Sequence, residues 1–99
     1  MTTTANLPDL ATLTRAASVI KSIGHPLRLI LLDAMGWGEK TVTELQECSG
    51  ASQTMVSRQL AVLRGHGVVA TRREGSFVFY SIQEPKVHHI LDCLRGCGQ

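Results

Sequence analysis

Cys93 and Cys97 stand four residues apart near the end of a 99-residue chain, with His89 four residues before them. On a helix this spacing makes the three side chains neighbours along one edge, with successive Cβ atoms about 5–6 Å apart. Two thiolates so placed can hold a soft metal or metalloid ion at sulfur distances near ~2.3 Å, with His89 or the distant Cys48 as a third ligand. They can equally respond to an oxidant or to reactive sulfur, as a bridge within the pair or between one member and Cys48. A direct disulfide needs Cβ atoms near ~3.8 Å, closer than a regular helical pair, and Gly96 lets the helix end open. His88, His89 and Arg95 favour the thiolate while the negative end of the helix opposes it, so the pattern leaves the effector chemistry open. The plainer role for the pair is packing beside Ile90 at a dimer seam. Cys48, alone on the third helix, is expected to be a small buried core residue, because a free cysteine packs like a hydrophobe.

A second set of residues carries polar and cationic chemistry. The first 49 residues hold four Lys/Arg against five Asp/Glu, whereas residues 50–99 hold six against three. Arg58, Arg64, Arg72 and Arg73 fall within sixteen positions, preceded by Ser52, Gln53, Thr54 and Ser57. A local basic patch doubled in a dimer suits a polyanion. Arg58 can donate two hydrogen bonds to guanine, Gln53 can pair with adenine and Ala61 can meet a thymine methyl. Ser52, Thr54 and Ser57 can reach phosphates or base edges. Arg72 and Arg73 supply backbone or minor-groove contacts, hence affinity and salt dependence.

These residues need elements to hold them. Residues 1–8 are small, polar and aperiodic, and are read as a flexible arm in front of one domain over residues 9–97. Asn6 and Pro8 are expected to open a first helix carrying Leu10, Leu13, Ala17 and Ile20, ended by Gly24. His25-Pro26 restarts the chain as a central buried helix over 27–35. A short third helix runs from about Thr41 to Ser49, with Thr43 as its N-cap and Leu45 and Cys48 facing inward. Gly50-Ala51 then makes a short turn into a helix begun by Ser52, with Val56, Leu60 and Leu63 on its inner side and Thr54, Ser57, Arg58 and Ala61 opposite. Val68–Thr71 and Phe77–Ile82 read as two strands around a loop from Arg72 to Ser76. Glu84-Pro85 opens a last helix with a stripe of Val87, Ile90, Leu91 and Leu94. His66 is placed in a loop beside the polyanion, and His88 as a solvated side chain.

The result is mainly α with a small β-hairpin, in the order α-α-α-α-β-β-α: a winged helix-turn-helix, whose second helix fits a major groove roughly 12 Å wide. The run Ile23-Gly24-His25-Pro26-Leu27-Arg28-Leu29-Ile30-Leu31-Leu32, then Val42-Thr43-Glu44-Leu45, Ser52-Gln53, Ser57 through Arg64 and Gly67-Val68-Val69 resembles the ArsR/SmtB family of bacterial metal- and redox-responsive repressors. The resemblance covers residues 10–95, with Arg72–Gly75 and Val78-Phe79-Tyr80 similar to the family's wing, and departs at Gln59, where many members have His. It implies a homodimer through the first and last helices that binds double-stranded operator DNA and releases it on sensing an effector. Glu84 and His89 are the candidates for the family's helix-borne zinc pattern, which spreads along a longer final helix. The thiolate motif of arsenite-responsive members is absent.

The expected protein is thus a DNA-binding repressor with a thiol sensor at Cys93 and Cys97, alone or with a soft metal or metalloid ion. A regulator of the same fold without a cysteine-dependent effector is the alternative, and a winged-helix protein-interaction module a more distant one. No Ser/His/Asp set, glycine-rich phosphate loop or paired carboxylates point to an enzyme. No apolar run is long enough for a membrane span, and three cysteines without a secretory signal suit a reducing compartment, so a cytoplasmic location is expected.

Overall fold

The computed structural model describes residues 9–97, the last of them by its backbone alone. Its elements are α1 (Leu10–Ile23), α2 (Pro26–Met35), β1 (Glu39–Lys40), α3 (Val42–Ser49), α4 (Gln53–Gly65), β2 (Val69–Glu74), β3 (Phe77–Ile82) and α5 (Pro85–Cys97). Each of the first four helices starts where a side chain takes up a free backbone N–H. Asp9 accepts from Thr12 N at 2.8 Å at the start of α1, while Asn6 and Pro8 lie outside the described residues. His25 Nδ1 accepts from Leu27 N in front of Pro26, the first residue of α2. At α3 the cap is Thr41 rather than Thr43. Glu44, three residues later, returns a carboxylate to Thr41 N while its own N–H donates to the Thr41 hydroxyl, a reciprocal pair that Thr43 has no partner to build.

The core forms where α2, α3, α4, the sheet and α5 meet. Leu31, Leu32, Leu45, Val56, Leu60, Leu63 and Val87 have no measurable exposure, and Val68 and Val69 almost none. Gly50 adopts a left-handed conformation (φ +74°) that closes α3, and Ser52 Oγ accepts from Met55 N to start α4, so the two helices are joined by three residues. One polar link runs through the core's edge. Arg28 Nε donates to Gln59 Oε1 at 2.7 Å and Arg28 Nη1 to the Ser22 carbonyl at 3.0 Å, tying α1, α2 and α4 together. Gln59 is thereby buried, and its side chain faces a cation of the protein itself.

The sheet has three antiparallel strands in the order β1-β3-β2, not two. β1 pairs Glu39 with Ser81 and Lys40 with Tyr80; two residues are too few to show a period in sequence. The hairpin is also longer than its β-branched residues suggest. Arg72, Arg73 and Glu74 pair with Phe79, Val78 and Phe77, leaving Gly75-Ser76 as the whole turn. Gly75, at φ +61°, supplies the first central position of a two-residue turn that suits the strand twist. Arg72 and Arg73 therefore sit in a strand and leave opposite faces of the sheet.

α5 buries Val87 and Leu91 in the chain's own core, while Leu94 stays half-exposed. His88 is not solvated: it is buried beneath Trp37, with ring centroids 3.5 Å apart and planes 6° from parallel. Trp37 comes from the Gly36-Trp37-Gly38 turn before β1 and leaves its outer side open, with 82% of its surface exposed. Arg95 pairs with Asp33 of α2 and with Asp92 of its own helix.

Candidate nucleic-acid interface and thiol residues

α4 presents two chemically distinct sides. Val56, Leu60 and Leu63 face the core, whereas Gln53, Thr54, Met55, Ser57, Arg58, Ala61 and Arg64 are exposed. Ser52 sits at the N-cap, its hydroxyl already accepting a backbone hydrogen bond. The exposed side is therefore polar and cationic along the length of a 13-residue helix, with its start held by the three-residue turn from α3. No carboxylate of the described residues forms an ion pair with Arg58, Arg64 or Arg73. His66 is exposed at the end of α4, in the C-cap position.

The wing differs from a plain basic hairpin. Glu39, Ser81 and Ala70 share one face of the sheet with Arg72, Phe79, Glu74 and Phe77, as the register and the two-residue alternation require. On that face Arg72 lies across the middle strand, its guanidinium carbon 4.6 Å from the Phe79 ring centre. It donates from Nη2 and Nε to the two oxygens of Glu39, at 2.5 and 3.2 Å, and from Nη1 to Glu74 at 2.5 Å. The Arg72 hydrogen bond holds the Glu39 carboxyl below the usual glutamate range, and the two carboxylates push the Arg72 guanidinium further up. Arg73 leaves the other face, which carries Val69, Tyr80 and Ile82 into the core at its base. Sequence reasoning missed Glu39 and Glu74 as partners of Arg72. The only trace was the i,i+2 spacing of Arg72 and Glu74, which places them together once both are known to be in a strand.

The thiol residues are not gathered into one site. Cys93 is a free, exposed thiol on α5 and Cys97 ends that helix one turn later. Cys48 is also free and exposed, on the outer side of α3, against the expectation of a buried residue. The inward arc of that short helix runs through Val42, Leu45, Gln46 and Ser49, and Cys48 lies on the flank of Leu45 away from it. His89 is exposed, bordering with Lys86 a shallow apolar groove between α1 and α5 lined by Ala16, Val19, Ile20 and Ile90. Glu84 accepts from Lys86 N at the start of α5, a capping contact. Among the described residues no three His, Cys, Asp or Glu side chains come together in a way that could hold a metal, and no helix there is long and apolar enough to cross a membrane.

This arrangement has clear counterparts. The chain is 38% identical over 78 residues to the biofilm growth-associated repressor of Xylella fastidiosa, covering 79% of this chain and 68% of that one. It superposes on the crystal structure of the transcriptional repressor BigR from Xylella fastidiosa with a TM-score of 0.81 at 35% identity, over 86% and 87% of the two chains. A homodimeric winged helix-turn-helix DNA-binding domain from Mycobacterium bovis, solved in solution as that of a possible ArsR-family transcriptional regulator, gives 0.75 at 28% identity, over 99% and 86%. Residues 25–71, from the cap of α2 through α3 and α4 to β2, match the bacterial regulatory protein, arsR family. These relatives are transcriptional regulators on a winged helix-turn-helix, not enzymes, and this chain, with the same fold and the same order of motifs, belongs to the ArsR family of DNA-binding transcriptional repressors.

Proposed function

We propose that the chain works as a homodimer through α1 and α5 and represses by inserting α4 of each protomer into the major groove of operator DNA. The observation that carries this reading is the division of α4 into a fully buried apolar side and an exposed side of Gln53, Thr54, Ser57, Arg58 and Arg64. Arg58 and Gln53 are the proposed base readers, Ser52, Thr54, Ser57 and Arg64 the phosphate contacts of the helix, and Arg73 that of the wing. Arg72, already bound to Glu39 and Glu74, sets the wing's pose. Dimerisation is supported by the exposed Leu10, Leu13 and Ile20 of α1 and Leu94 of α5, apolar surface of the kind a second copy buries. The test is Arg58→Ala: loss of a footprint on the operator with an unchanged circular dichroism spectrum and dimer mass is expected. A retained specific footprint overturns the assignment of α4.

Release of the operator is proposed to follow reaction of Cys93 and Cys97 with a thiol-reactive effector, supported by the exposed thiol of Cys93 and the one-turn spacing. His89 lies on the same edge, and Cys48, exposed on α3, is the remaining thiol open to a bridge. Mass spectrometry of the reduced protein after separate zinc, arsenite, peroxide and organic polysulfide treatments, with operator affinity at fixed salt, tests it. A mass change on the Cys93/Cys97 peptide together with lost DNA binding is the expected result for one treatment. Unchanged mass and affinity under all four leave a regulator with no cysteine-dependent effector.

A further inference from the structure

We propose that Glu39 and Glu74 withhold Arg72 from DNA phosphates, so that each wing offers Arg73 as its free cation and the dimer's non-specific affinity for DNA is held down. The inference rests on the DNA-binding reading above and concerns how strongly that same surface binds the wrong sequence. Three observations carry it. All three guanidinium nitrogens of Arg72 are engaged by carboxylate oxygens, two of them on Glu39 in a bidentate pair. The flat guanidinium lies over Phe79, which fixes its plane along the sheet rather than outward. Finally, the partners flank the guanidinium, Glu39 from β1 on the far edge and Glu74 from β2 beside the turn, so the side chain is held flat across the face of the sheet.

Exposed ion pairs contribute little to stability, so the arrangement matters through charge rather than through folding energy. Arg72 and Arg73 together would give the wing two cations. With Glu39 and Glu74 added, the group of four side chains is neutral, and Arg73 alone projects from the other face. Non-specific binding is almost wholly phosphate neutralisation, and a protein on non-operator DNA is free to take whichever register suits its cations. In the operator complex the base contacts fix the register, so an additional cation gains less there. Neutralising Arg72 within the protein thus widens the gap between operator and non-operator DNA.

The experiment measures affinity for operator and for non-operator duplex against salt from ~0.05 to ~0.2 M, for the full chain and three variants. In E39Q/E74Q the salt dependence for non-operator DNA is expected to steepen by about 0.9 in log–log slope per protomer, and affinity near ~0.1 M salt to rise about eightfold per freed arginine. The ratio of operator to non-operator affinity falls. In E39Q/E74Q/R72Q the same carboxylates are gone and no cation is released, so the slope is expected to return to that of the parent. The single variant E39Q, which removes the bidentate partner, is read in the same way should the double variant fail to fold. An unchanged slope in E39Q and E39Q/E74Q overturns the proposal, as does a gain that persists in the triple variant, since the carboxylates then act by plain repulsion. Both outcomes differ from failure of the DNA-binding reading, in which the parent itself shows no salt-dependent binding or Arg58→Ala keeps the operator footprint.

Discussion

Replacing Gln59 by leucine keeps the volume of a buried side chain and removes one acceptor. In the native fold Gln59 Oε1 receives Arg28 Nε at 2.7 Å, while the Ser22 carbonyl receives Arg28 Nη1 at 3.0 Å. Leucine leaves the second bond in place and strands the first donor on a partly buried cation. A hydrogen bond to a charged group contributes about 1.5–3 kcal/mol, and a donor left without a partner costs a similar amount. A loss of about 2 kcal/mol is therefore expected for Gln59→Leu, equivalent to a fall in melting temperature of roughly 8–16 °C for a domain of this length. Urea unfolding followed by far-UV circular dichroism, at fixed protein concentration because the assembly affects apparent stability, gives the value directly. Arg28→Met and the double variant complete the cycle: the double variant is expected to lose less than the sum of the singles by about 1 kcal/mol or more. Gln59→His offers a ring nitrogen to the same donor and should recover part of the loss. A Gln59→Leu protein within ~0.5 kcal/mol of the parent, or full additivity with Arg28→Met, refutes the reasoning.

Gly75→Ala meets no neighbouring atom, but it forces a side chain into a left-handed conformation at φ +61°. A loss of about 1 kcal/mol or more is expected from thermal melts, with weaker hydrogen-exchange protection across β2 and β3. Leu60→Ala opens a void at a position with no exposure and is expected to cost about 2–5 kcal/mol in urea unfolding. Thr41→Ala removes the hydroxyl cap of α3 and should cost about 1 kcal/mol. The Glu44 carboxyl is held below its ordinary value of 4.5 by the Thr41 backbone N–H, and that of Glu39 by Arg72. Because both folded values lie below the unfolded one, their stabilising contribution is complete above pH 4.5 and lost as pH falls through the folded values. Carboxyl-carbon NMR titrations should show both midpoints below 4.5; midpoints at or above it would contradict the two contacts.

Much of the fold was legible because single residues leave strong local signatures. Gly24, Gly36, Gly50 and Ser52 mark helix ends that the structure places where the sequence suggests, and Val56, Leu60 and Leu63 show the buried side of α4. What escaped depended on contacts between distant residues. β1 is two residues long and exists because β3 lies beside it. His88 is buried and stacked against Trp37, fifty-one positions away in sequence. Cys48 has the chemistry of a core residue, but the eight-residue α3 turns inward through Val42, Leu45 and Ser49, an arc fixed by where α2 and α4 pack and too short to read from a period. Arg72 read as a basic loop residue because its nearest carboxylate in sequence, Glu74, looked like a turn residue and Glu39 lies 33 positions earlier.

The ring stacked on His88 belongs to the chain's one tryptophan. Its emission consequently reports from a single place, the junction between the turn before β1 and the helix that carries Cys93 and Cys97. The indole lies in direct contact with the His88 ring, so its emission follows any shift of α5 away from Trp37. The parent protein is in this sense already labelled: effector titrations can be followed optically without a dye, and the exposed outer side of the indole gives iodide access to the same reporter from solvent.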